Sequence, residues 1–199
     1  MLIDCFVSTL DTTPNRMAWS RATIEALMKE TQLRITVLDA GSSPEQLEWF
    51  HSKGLVVIPQ PREGSLFRRF LLAEAYAQSE LYLFSDNDMV PKSEAWLSKG
   101  LEIMRAQPGL GYVVYRMTHC DFSSTGERHG LEVRGIHKGG GLAIVRRDCR
   151  TYPFRIPFVP DRDKLDDHHY CDAIRKSGYG VGQFENLYAE HCGRTESTH

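Results

Sequence analysis

Short apolar runs alternate with segments of helical periodicity through the first half of the chain. Residues 2–7, 33–38, 55–58 and 81–84 are rich in Leu, Ile, Val and Phe and read as strands, and the run over 81–84 suits one buried on both faces. Between the first two, Trp19, Thr23, Ala26 and Leu27 recur at helical spacing, and Thr13-Pro14 has the form of an N-cap with proline at the first helical position. Ser43-Pro44-Glu45-Gln46 reads as a capping box that opens a second helix, and Gly54 after Lys53 ends it. A third helix is expected over 65–78. The order strand, helix, strand, helix, strand, helix, strand predicts a parallel α/β sheet with right-handed crossovers.

The second half is less regular. Ser93 is placed to cap a helix running to Gln107, just before Pro108-Gly109, and residues 110–117 read as a further strand. The polar stretch His119 to Gly135 reads as a hairpin or surface excursion. Gly139-Gly140-Gly141 precedes a short strand over 142–145, and Pro153, Pro157 and Pro160 punctuate a loop ending at Asp161-Arg162-Asp163. A last helix is expected over 165–177, closed by Gly178. Short strands over 180–184 and 187–190 then lead to His191 and a polar tail. No internal repeat or linker stands out, so a single α/β domain is expected.

Composition narrows the function classes. The 199 residues are 41% hydrophobic and 25% charged, the balance of a soluble globular protein. A net charge of −2 without any lysine–arginine block gives no electrostatic grip on nucleic acid. The 5 cysteines are scattered and lack CxxC spacing, which argues for a reducing compartment over a disulfide framework or zinc ribbon. No basic segment precedes the first apolar residues and no apolar run has membrane-spanning length, so a cytoplasmic location is expected.

Acidic residues gather at predicted strand ends. Leu81-Tyr82-Leu83-Phe84 meets Ser85-Asp86-Asn87-Asp88, and ligands of such sheets collect beyond the carboxyl ends of the strands. Asp86 and Asp88 there offer hard oxygen donors to a divalent cation holding a diphosphate, although an Asp-rich turn capping the next helix accounts for the same residues. Asp39, and more loosely Asp11, end other strands on the same edge. Carboxylates so crowded repel unless a cation or a donor-rich ligand lies between them. Asp39 suits a turn cap through Gly41 or an acceptor for a nucleobase or ribose. Arg68 and Arg69 suit a phosphate, an aspartate or plain solvent.

Asp166-Asp167-His168-His169 opens the last helix. Its acids either complement the macrodipole or supply a general base to an attacking hydroxyl. Adjacent histidines cannot face one site from a helix, which disfavours a two-histidine metal motif. The triple glycine lacks the strand-to-helix setting of a Rossmann fingerprint or P-loop, but lets a substrate approach the backbone closely. His191 fits a surface histidine or an imidazole donor to a cation held by the aspartates. Trp96, Tyr112 and Tyr115 suit aromatics that stack on an acceptor, but at strand and helix spacing they are expected in the core.

In this order the motifs resemble the GT-A-fold glycosyltransferases, specifically the family 2-like nucleotide-sugar transferases, over about residues 2–191. Leu2 to Thr9 stands at the family's opening nucleotide-binding strand. Val37-Leu38-Asp39-Ala40-Gly41-Ser42 is similar to Val-Val-Asp-Asp/Asn-Gly-Ser, whose first Asp contacts the base. Gly64 to Phe70 follows Gly-x-x-x-Ala-Arg-Asn, with Arg69 at the arginine and Phe70 in place of Asn. Asp86-Asn87-Asp88 looks like the DxD motif for metal and diphosphate. Gly140 to Arg147 is similar to the Gly-Ala-x-x-x-x-Arg-Arg strand beside sugar and acceptor. Asp166-Asp167 falls on the Glu-Asp pair, with Ala173 where an arginine is usual, and His191 matches a late histidine of the metal shell.

The resemblance implies a GT-A (Rossmann-like), mostly parallel sheet flanked by helices. It implies a nucleotide-binding half over about 1–91, an acceptor and catalytic half over about 92–191, and a tail over 192–199. It further implies a metal-dependent, inverting glycosyltransferase using a UDP- or GDP-sugar donor. Asp167 would be the base, and Asp86, Asp88 and His191 would hold Mn²⁺ or Mg²⁺. Thr9, Asp39, Arg69, Asp86, Gly140 and Gly141 would bind the donor. Two other classes suit the same acids: a metal-dependent nucleotidyltransferase or phosphohydrolase, and a domain that binds nucleotide or glycan without turnover.

Overall fold

A computed structural model describes residues 2–62, 65–118, 124–129, 132–136, 140–150 and 167–194. Gly64, Gly139, Asp166, the loop through Asp161-Arg162-Asp163, the far end of the tail and parts of the 119–135 excursion lie outside the described residues.

Strand β1 (Ile3–Thr9) is buried along its whole length, as a central strand covered on both faces must be. It pairs in parallel with β2 (Leu33–Asp39) on one side and β4 (Leu81–Asp86) on the other, and β3 (Val56–Pro59) lies outside β2. The connecting helices are α1 (Pro14–Leu27), α2 (Pro44–Ser52) and α3 (Ser65–Tyr76). Both predicted N-cap hydroxyls engage: Thr13 Oγ1 accepts from the Arg16 amide at 3.4 Å, and Ser43 Oγ from the Gln46 amide at 3.3 Å. The return half of the capping box does not form, because the Ser43 amide donates to the Asp11 carbonyl and the Gln46 side chain is held by Asp11 and Arg21.

The second half departs from expectation in three places. Met89–Pro91, assigned to no element from sequence, forms a short strand, β5, antiparallel to the last strand. Ser93 caps no helix, because its hydroxyl accepts from the Tyr188 amide at 2.7 Å. Helix α4 (Trp96–Ala106) starts instead behind Ala95, which adopts a left-handed φ of 52°. The two short closing strands are one strand, β10 (Gly180–His191), with a register shift between Gln183 and Tyr188.

Strands β6 (Leu110–Met117), β7 (Ser124–Arg128), β8 (Val133–Ile136) and β9 (Ala143–Arg146), with helix α5 (Asp167–Lys176), complete the described elements. The sheet order is β3-β2-β1-β4-β9-β6-β10-β8-β7, with β5 paired to β10 off that path. Pairing makes β1, β2, β3, β4, β6, β7 and β10 run one way and β5, β8 and β9 the other, a mostly parallel sheet. The predicted excursion thus widens the sheet, with β8 laid on β10.

Hydrophobic layers cover both faces. One contains Val7, Ile24, Leu83, Leu97, Tyr115 and Ile144; the other contains Phe6, Leu38, Phe84, Tyr112 and Tyr170. Trp96, Tyr112 and Tyr115 are buried, as expected. Phe70 lies in the second layer, its ring stacked on Phe84 at 4.3 Å and on Tyr170 at 4.6 Å. The stack ties α3, β4 and α5 together and fixes the position of the preceding residue, Arg69.

Candidate functional site

Parallel register brings the strand ends level: Thr9 pairs with Asp39, and Ser8 with Asp86. Thr9 Oγ1 donates to Asp39 Oδ1 at 3.0 Å. The same buried carboxylate accepts from the amides of Gly41 at 3.0 Å and Ser42 at 3.1 Å. Asp39 therefore shapes its own turn, as the turn-cap reading expects. Arg68, the neighbour of Arg69, is exposed.

Arg69 points inward and lies between two carboxylates. Its Nη1 is 2.9 Å from Asp86 Oδ1 and its Nη2 is 3.6 Å from Asp167 Oδ1. Nη1 also donates to Ser8 Oγ at 3.3 Å, and the guanidinium lies 5.5 Å from the ring centres of Phe70 and Phe84. A planar fork of N–H donors suits this bridging role better than a lysine would. Gly141 donates its amide to Asp86 Oδ2 at 2.7 Å. Gly140, at φ 115°, passes so close to Asp167 that a Cβ would collide with Oδ2. Arg69, Asp86, Gly140, Gly141 and Asp167 thus form one group, assembled from α3, β4, the approach to β9 and the first turn of α5.

Asp88 faces elsewhere. Its Oδ2 is 3.0 Å from His191 Nε2, and its carbonyl accepts from the Cys192 amide at 2.8 Å. A Cβ on Gly193 would come within 2.8 Å of the same carboxylate, which would have to shift to admit it. Among the described residues no three His, Cys, Asp or Glu side chains converge as a metal shell, and Asp86 is held by Arg69 rather than beside Asp88.

The Asp88–His191 pair nevertheless suits a small cation. Its carboxylate oxygen and imidazole nitrogen, 3.0 Å apart, would both be able to reach one cation lying beside them. Mg²⁺-type sites take one or two protein carboxylates and complete their shell with phosphate oxygens and water.

Two residues of this edge make contacts that their sequence readings did not include. The buried Tyr112 hydroxyl accepts from the Gly140 amide at 2.9 Å, and burial pushes its phenol well above the ordinary value, which keeps that hydroxyl protonated. A buried tyrosine needs a partner for its hydroxyl, and that was the one available signal. Asp11, only loosely assigned to the edge, is completely buried, with Asn87 Nδ2 donating to it at 2.5 Å. Nothing in the sequence announces that contact.

No protein-family model and no curated protein matches the chain. Solved structures do. The chain is similar to a mannosyltransferase from Pyrobaculum calidifontis in complex with GDP-Man and Mn²⁺, at 17% identity over 98% of this chain and 58% of that one, with a TM-score of 0.70. It is also similar to TarS 1-349 of S. aureus in complex with UDP-GlcNAc, at 15% identity over 98% of this chain and 61% of that one, with a TM-score of 0.65. The chain spans about three fifths of the length of these proteins. Likeness at such low identity is a likeness of fold, and the fold is GT-A.

Proposed function

We propose that the chain is a metal-dependent, inverting glycosyltransferase that moves a sugar from a nucleoside-diphosphate sugar to an acceptor hydroxyl. The observation that carries this reading is the gathering of Asp86, Arg69 and Asp167 around the Gly140-Gly141 turn at the carboxyl ends of the strands. It is supported by the GT-A fold shared with proteins solved with GDP-Man and UDP-GlcNAc.

In this reading Thr9 and Asp39 receive the base and ribose, while Arg69 and Asp86 border the diphosphate. Gly140 and Gly141 keep side-chain bulk away from the sugar, so that it lies against backbone. Asp88 and His191 would hold Mn²⁺ or Mg²⁺, which when bound offsets charge on the leaving diphosphate. Asp167 takes the proton from the acceptor hydroxyl, and Arg69 holds that carboxylate in place. No covalent intermediate on the protein is required.

The test is product analysis with UDP- and GDP-sugars and a panel of hydroxyl acceptors. Transfer with release of the nucleoside diphosphate is expected, and Asp167→Asn should lower turnover by about 10²–10⁴-fold while sparing donor affinity. Release of inorganic phosphate or pyrophosphate instead, or full turnover by Asp167→Asn, would overturn the assignment.

A further inference from the structure

The Asn87-Asp88 turn lies between β4, which ends at Asp86, and β5, which begins at Met89. On one side it is tied to the end of β10 by the Cys192 amide and His191. On the other side it is tied to Asp11, a carboxylate with no exposed surface.

Asp11 Oδ1 accepts from Asn87 Nδ2 at 2.5 Å, and Oδ2 accepts from Gln46 Nε2 at 3.1 Å. The Gln46 amide cannot turn over, because its Oε1 accepts from Arg21 Nε at 2.9 Å. The Asp11 backbone is fixed as well. Its amide donates to Ser42 Oγ at 2.9 Å, and its carbonyl accepts from the Ser43 amide at 3.0 Å. Ser42 in turn donates its amide to Asp39.

A carboxylate buried against neutral amides is expensive to keep there. Two side-chain amide donors converge on this one, however, and only a group with two acceptor oxygens answers both. We propose that Asp11 is a positioning residue that holds the Asp86-Asn87-Asp88 turn in register for cation and diphosphate. It acts through Asn87 on the turn, and through Gln46 and Ser42 on the loop that carries Asp39. The inference rests on the proposed function and adds the device that keeps the two ends of the donor site aligned.

Asp11→Asn tests this with almost no change of shape. The introduced amide has one acceptor oxygen where the carboxylate has two, so it either faces Gln46 donor to donor or makes Asn87 turn its own amide over, and both change the contact that holds the turn. Adding Gln46→Glu restores an acceptor opposite it, lets the introduced amide turn its oxygen to Asn87, and leaves Arg21 a partner. Asn87→Ala cuts the same contact from the turn side without touching the buried centre. The full chain of each variant is compared by hydrogen exchange of the 86–89 amides, by Mn²⁺ titration in the presence of UDP or GDP, and by melting.

Asp11→Asn and Asn87→Ala are expected to speed exchange in the turn and weaken Mn²⁺ binding by about 10–100-fold, the usual effect of residues that orient metal ligands. The Asp11→Asn/Gln46→Glu pair is expected to recover both. Wild-type exchange and Mn²⁺ affinity in Asn87→Ala would overturn the inference, as would a double variant that melts like the wild type yet recovers neither. A wild-type chain that binds neither Mn²⁺ nor nucleotide would overturn the proposed function. Faster turn exchange in the variants would then still support the clamp itself.

Discussion

Gly140 and Asp167 share a space that only a glycine leaves open, since a Cβ there would collide with Asp167 Oδ2 on a backbone already at φ 115°. Gly140→Ala must therefore displace the carboxylate. A shift of about 1 Å in a reacting group costs on the order of 10²-fold. Steady-state kinetics should show a loss of at least that size in turnover, together with weaker donor binding, because the added methyl also enters the space given to the sugar. Asp11 has a different consequence. Burial pushes its carboxyl up to about 6, against the pull of the donors around it. That value is above the unfolded one near 3.9. Between about pH 4 and pH 6 the native state then binds more protons than the unfolded chain, so this group's contribution is complete below about 4 and is lost as pH rises through about 6. The loss is at most about 3 kcal/mol. Denaturant unfolding of wild type and Asp11→Asn across that range should show this added slope in the wild type alone. Sequence named Asp86, Asp88, Asp167, Arg69 and His191 as a set. It left open that Asp86 would pair with Arg69 and Asp88 with His191, because the residues of a turn point in different directions.

Elements were legible wherever their ends are set by nearest neighbours. Thr13-Pro14 and Ser43-Pro44 cap helices because a hydroxyl needs only the amide three residues on. Ser43→Ala should cost about 1 kcal/mol in denaturant unfolding, a typical cap value. Ser93, followed by Glu94 rather than proline, offers the same hydroxyl but fails as a cap because the Tyr188 amide takes it across the fold. Phe70 stands where the resembled family has Asn, and the aromatic layer accounts for it: the ring fills the space between Phe84 and Tyr170. Phe70→Ala should destabilise by about 3–5 kcal/mol, the range for a buried phenylalanine. It should also lower turnover, since the stack carries Arg69 towards Asp167. A variant that unfolds early yet retains full turnover would separate the stack from the site.

At the scale of the whole molecule, a donor bound across the strand ends touches both halves of the sheet and stabilises the native state by mass action. At a hundredfold excess over its dissociation constant the gain is about 2.7 kcal/mol. For a domain of this size that raises the melting temperature by about 5–10 °C. The shift should appear with one nucleotide family in Mn²⁺, shrink in EDTA, and shrink again in Asp88→Asn. Equal shifts with and without the cation would remove Asp88 and His191 from a metal role. Alternating runs and helix caps were enough to give the parallel order of β1 to β4 and the level line of acidic strand ends, because burial and local hydrogen bonds act over a few residues. The antiparallel insertion of β9 between β4 and β6, the fusion of two short runs into β10, and the pairing of Arg69 with Asp167 and of Asp11 with Asn87 were not contained in any local pattern. They depend on sheet register and packing between segments far apart in the chain, and such contacts exist only once the layers have closed.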